Sequence, residues 1–162
     1  MNDYSIDLNV EIEKICKRLY LDICCIQRPL DDKSQLRIAV ESEIMLGILY
    51  LVESKKIRLI SSEVLEFEAN KNVNMFRREF TYEVLGKADY FVIINDDIQN
   101  RAKDFVKAGI KSIDALHLAS AEQSKVDYFC TCDDSFLKKA KKIDNINITL
   151  FSPIELLKEI EK

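Results

Sequence analysis

Asp22, Asp114 and Asp133, with Glu66 or Glu68, are the side chains of this sequence best placed to do chemistry. Each sits at the edge of an apolar stretch: "RLYLD" (18–22), "SSEVLEFE" (61–68), "SIDALHLASA" (112–121) and "DYFCTCDD" (127–134). Carboxylates gathered at one place repel one another, at a cost of kilocalories where water is scarce. A divalent cation removes that cost, and hard oxygen ligands with open water positions suit Mg2+ or Mn2+. Such a centre can activate a bound water and stabilise developing negative charge, so the chemistry to expect is hydrolysis assisted by a metal ion. No nucleophilic side chain is then required, which fits a chain with one histidine and no Ser-His-Asp constellation. Each acid also has a local use. Asp22 could close a turn, Asp114 could favour a helix dipole, and Asp133 or Asp134 could cap the next helix. Glu66 and Glu68 could be ordinary helix-surface residues. Only their joint placement distinguishes the two readings.

The elements that must position these acids alternate. Strands are expected at 18–22, 57–60, 90–94, 127–131 and 146–152. Helices are expected at about 34–54, opened by a capping box from Asp32 to Gln35, and from Ser61 or Ser62 onward. Others follow at 73–87, at 97–108 closed by Gly109, and at 113–124 with Ser112 as N-cap. The last two fall after "CDD" and from Pro153. "ICCIQRPLDDK" (23–33) reads as a loop. Strand–helix alternation predicts a three-layer α/β/α sandwich around a central, mainly parallel sheet, as one domain over 1–162 with 1–17 as an N-terminal extension. In such folds sites form beyond the C-terminal strand ends. Asp22 and Asp133 fall there, Asp114 heads the helix before the fourth strand, and Glu66 and Glu68 lie in the helix after the second. His117, three residues after Asp114, is its helical neighbour and a weaker ligand candidate. Arg28, in the loop after Asp22, is expected to contact phosphate or to pair with Asp31 or Asp32.

The totals exclude several classes. The formal charge is −4, so no general basic field advertises nucleic-acid binding, although a metal-holding nuclease carries its own acids. No signal-peptide pattern and no apolar run long enough to span a membrane is present. "IMLGILYLV" (44–52) is the greasiest window and exceeds what one helix face needs, for a core or an interface. The five cysteines, Cys16, Cys24, Cys25, Cys130 and Cys132, are odd in number and favour free thiols in a reducing cytoplasm. Cys24–Cys25 and Cys130-x-Cys132 could meet and bind zinc, but neither has the usual spacing; buried strand-end thiols are the default expectation. A phospho-accepting receiver would want paired acids directly after the first strand, and Asp31 and Asp32 come too late in the loop.

"LYLD", the Ser-led "SSEVLEFE", "SIDALHLASA" and "TCDDSF" together resemble a PIN domain, the metal-dependent nuclease fold that includes VapC-type toxins. "D-A-L-H-L-A" and "T-x-D-x-x-F" are the most specific segments, and the likeness runs over about 19–157. "D-x-C-x-x-x-R-P" further resembles a stand-alone prokaryotic subgroup. The resemblance implies that Asp22, Asp114 and Asp133, with Glu68 preferred over Glu66, hold Mg2+ or Mn2+. It implies an endoribonuclease acting on single-stranded RNA, an antitoxin partner for toxin members, and homodimerisation. The competing class is a PIN-like module that binds RNA or protein without turnover.

Overall fold

The structure, a computed structural model, describes residues 16–162. The expected N-terminal extension, 1–17, lies outside the described residues, save for Cys16 and Lys17 ahead of the first strand. Strand β1 (Arg18–Leu21) is followed by a short helix α1 (Ile23–Gln27), a 3-10 turn (Arg28–Leu30) and helix α2 (Leu36–Glu53). Next come β2 (Arg58–Ser62), α3 (Glu63–Lys71), α4 (Met75–Leu85) and β3 (Tyr90–Val92). The chain continues through α5 (Asp96–Lys107), α6 (Ser112–Gln123), β4 (Tyr128–Cys130), α7 (Asp134–Lys141), β5 (Thr149–Phe151) and α8 (Pro153–Ile160).

The sheet order is β3-β2-β1-β4-β5, and all four pairings are parallel. The expected α/β/α sandwich is therefore built on a wholly parallel sheet. A parallel sheet covered by helices must bury both faces of its central strand. Leu19, Tyr20 and Leu21 of β1 are all fully buried. Tyr20 is paired in register with Phe129 of β4, and their rings stack at 5.3 Å and 10° between planes. The strand order reverses at β1: β2 and β3 build outward on one side, β4 and β5 on the other. The cleft between the C-terminal ends of β1 and β4 is thus a topological switch point, where open parallel sheets form their sites.

Several local expectations change. Residues 23–30 are helical rather than a loop, because Asp22 accepts the Ile23 N–H and starts a helix at once. Helix α2 begins at Leu36 without a capping box; the Asp32 carboxylate instead accepts the Ser34 N–H at 2.8 Å, an Asx turn before the helix. In the greasy window, Met45, Ile48 and Val52 supply the core face, while Leu46 and Tyr50 are exposed. Ser112 is the first residue of α6 and not its cap, which is Lys111. The strand at 57–60 extends to Ser62, whose hydroxyl accepts the Leu65 N–H and caps α3. The expected strands 90–94, 127–131 and 146–152 shorten to three residues each. Among the described residues no helix is long and apolar enough to cross a membrane.

Gly109 sets the entry to α6 and so the aim of Asp114. Its φ of 100° is a conformation side chains rarely adopt, although nothing lies within 4 Å of a Cβ built there. Gly47 lies inside α2, also with open space around it. Gly109→Ala should therefore cost roughly 1–2 kcal/mol of stability through backbone strain alone, whereas Gly47→Ala should add about 0.5–1 kcal/mol. Urea denaturation of the two variants checks both signs.

Candidate metal centre

Asp22 ends the central strand. Its N–H donates to the Cys130 carbonyl at 2.9 Å, carrying the β1–β4 ladder one residue further. Its Oδ1 accepts the Ile23 N–H at 2.8 Å, and its Oδ2 accepts the Thr131 hydroxyl at 2.8 Å. The residue is only 5% exposed. Burial pushes its pKa up to about 8, and Cys24 and Glu68 add to the shift, while His117 and the Thr131 hydrogen bond oppose it. A carboxylate held in that state is short of positive charge.

His117 can supply that positive charge. It is fully buried in α6, with Nδ1 2.6 Å from the Tyr20 hydroxyl, which is itself 2.7 Å from the Ser62 hydroxyl. Its Nε2 is hydrogen-bonded to Glu68 Oε1 and lies 3.9 Å from Asp22 Oδ1. With the proton on Nε2, the imidazole donates to Glu68, Tyr20 donates to Nδ1, and Ser62 donates to Tyr20. If the ring becomes charged, Nδ1 donates to Tyr20 and the two hydroxyl protons turn the other way. In the first arrangement every donor of this buried chain has an acceptor. The ligand atoms of Asp22, Glu68 and His117 all lie within 4.8 Å of one another. Burial lowers the His117 pKa, but the Glu68 hydrogen bond and the charges of Asp22, Glu68 and Asp114 outweigh it and raise it overall.

Asp114 occupies the first turn of α6, half-buried, one turn before His117. Burial raises its pKa; His117 opposes, and the charges of Asp133 and Glu68 raise it further. Asp133 is exposed and caps α7, accepting the Phe136 N–H at 3.0 Å. Its own N–H donates to the Thr131 hydroxyl at 3.1 Å, so Thr131 joins the backbone of Asp133 to the carboxylate of Asp22. Asp114 and Asp133 border a small recess together with Lys111 and Lys139.

The remaining candidates are placed elsewhere. Glu66 is exposed and lines a separate cleft with Tyr82, Tyr90 and Phe91. Asp134 is exposed and bound by Arg37 at 2.5 and 2.8 Å. Arg28 pairs with Asp31 at 2.9 Å and with the buried Glu41 at 3.3 Å, leaving Asp32 to its own turn. Tyr20, Ser62 and Thr131 had not been singled out as site residues. Thr131 had a signal, as the first residue of "T-x-D-x-x-F". Tyr20 and Ser62 had none beyond a strand position and a cap.

The donor set fits a hard divalent cation. It offers carboxylate oxygens, one of them buried with its charge incompletely answered, and the histidine nitrogen is already engaged by a glutamate.

A sequence model described as the PIN domain matches residues 19–142. Among solved structures, a chain from the crystal structure of VapBC2 from Rickettsia felis bound to a DNA fragment from their promoter superposes with a TM-score of 0.54. It is 14% identical and the match covers 83% of this chain and 98% of that one, a likeness of fold. No curated protein matches the sequence.

The raised pKa values fix a pH dependence. The folded state holds protons on Asp22, Asp114 and His117 that the unfolded chain releases earlier. Where the native state binds more protons, stability falls as pH rises. The carboxyls with lowered values, Asp32, Asp134 and Glu155, titrate below this range, and the Cys24 thiol, lowered by hydrogen bonds from its cysteine neighbours, opposes the three raised groups in part. In EDTA the melting temperature should therefore fall between about pH 5 and 8, and Mg2+ or Mn2+ should recover most at the upper end. A flat metal-free profile would exclude this charge balance.

Proposed function

Because this chain belongs to the PIN domain family, we propose that it is a metal-dependent endoribonuclease that hydrolyses phosphodiester bonds of single-stranded RNA. PIN domains are generally nucleases and generally use divalent metals. The observation that carries the reading is the convergence of Asp22, Glu68 and His117 at the switch point, with Asp114 and Asp133 on the same edge. Asp22, Glu68, Asp114 and Asp133 would hold one or two Mg2+ or Mn2+ ions. When bound, the metal supplies hydroxide near neutral pH and stabilises charge on the phosphoryl oxygens.

The chain's own groups do the rest. The Ile23 N–H and Thr131 hydroxyl each fix one oxygen of Asp22, so the carboxylate needs no reorganisation to bind. His117 orients Glu68, and Tyr20 fixes the imidazole ring in turn. Lys111 and Lys139, beside Asp114 and Asp133, offer positive charge to the flanking phosphates. Unpaired RNA is the favoured substrate class because its bases can splay out to be read. The chain would act in the cytoplasm. The fold shared with a chain of a VapBC2 complex supports an antitoxin partner, and homodimerisation accompanies that reading.

Cleavage of labelled mixed-sequence single-stranded RNA tests this directly. Wild type should cut with Mn2+ or Mg2+ and stop in EDTA. Asp114→Asn and Glu68→Gln should each lose at least roughly a hundredfold in rate while staying folded. Glu66→Gln should cut like wild type, because that side chain faces another cleft. RNA binding without metal-dependent cleavage would transfer the assignment to a binding module.

A further inference from the structure

Three cysteine sulfurs meet beside the acid centre and have no part in the proposed hydrolysis. Cys24 and Cys25 lie in α1, and Cys132 follows β4, more than a hundred residues away. Their sulfurs all lie within 4.8 Å of one another. Cys25 Sγ is 3.5 Å from Cys132 Sγ, and a fourth sulfur, that of Cys130, lies 3.8 Å from Cys25. Tetrahedral thiolates around zinc, with bonds of about 2.3 Å, stand about 3.8 Å apart, so little movement separates this triad from a closed ligand set. We propose that Cys24, Cys25 and Cys132 form a second metal site, selective for a soft thiophilic cation of the Zn2+ class and distinct from the carboxylate centre.

Three further observations favour a cation here. The Cys132 N–H donates to Cys24 Sγ at 3.3 Å, an interaction that supports a thiolate. Cys24 is only partly buried, so an ion has a way in. Binding one M2+ to three thiols releases three protons and leaves a single net negative charge. The guanidinium groups facing it answer that charge. Arg28, paired with Asp31 at 2.9 Å and Glu41 at 3.3 Å, lies beside the Cys132 sulfur. Arg37 reaches the Cys132 carbonyl at 3.4 Å. Soft sulfur donors and hard carboxylates select different ions, so the two sites need not compete. The Cys24 thiol donates to Asp22 Oδ2 at 3.5 Å, so the sites are neighbours and the cation must replace that proton when it binds.

The test uses reduced full-length protein with excess Mg2+ and Co2+ as the probe. One equivalent of Co2+ should give a thiolate-to-cobalt charge-transfer band that Zn2+ displaces. Cys25→Ser and Cys132→Ser, each verified as folded by circular dichroism, should weaken binding by more than the 10- to 100-fold or so typical of losing a supporting residue. Glu68→Gln should leave the band intact. Absence of the band, its survival in both cysteine variants, or its loss in Glu68→Gln overturns the proposal. None of these readouts depends on nuclease activity.

Discussion

A carboxylate can stay ionised inside a protein only if something nearby answers its charge, and this molecule places one at the end of its most buried strand. Asp22 follows Leu19, Tyr20 and Leu21, all fully enclosed by the sheet's neighbours and helices. Three hydrogen-bond donors, the Ile23 N–H, the Thr131 hydroxyl and the Cys24 thiol, reach its oxygens but bring no full charge. The full charge within reach is a protonated His117, shared with Glu68. Much of the surrounding architecture serves that imidazole. Tyr20 stacks on Phe129 and holds the ring through its hydroxyl, and Ser62 holds Tyr20 while capping the helix that presents Glu68. The chain of contacts therefore runs from core packing to the acid centre without a break.

The same constraint explains the choice of neighbours for β1. The acid that follows β1 and the acid that follows β4 come side by side because these strands pair in register, Leu21 with Cys130. Thr131, the next residue, binds the Asp22 carboxylate and the Asp133 N–H with one hydroxyl. A hydroxyl can donate once and still accept, which lets a single small side chain join both ends. The cysteines of α1 and of the segment after β4 meet for the same reason.

Most of this was legible in sequence wherever a regular period or an end signal marked an element. Apolar runs located the strands, and the spacing of acids at their ends pointed to one edge of one sheet. What could not be read were features without a period. Helix α1 and its 3-10 turn are too short to show one, so 23–30 read as a loop. Ser112 drew the cap assignment by residue type, although the turn at Gly109 starts the helix so that Lys111 occupies that place. Glu66 and Glu68 stand about 200° apart around a helix, and only the docking of α3 on α6 decides which one meets His117. The thiol triad depends on a strand pairing across more than a hundred residues, which no local pattern encodes.

The central strand is also the first strand of the sheet in the described chain, while its partner β4 is made more than a hundred residues later. On the ribosome, β1 and β2 can pair early, but Asp22 has no Thr131 and no Cys130 to bond until β4 and the residue after it have emerged. Long-range parallel pairing of this kind is the slow part of folding. The nascent polypeptide thus carries its acids apart, and the centre closes only after β4 has been made.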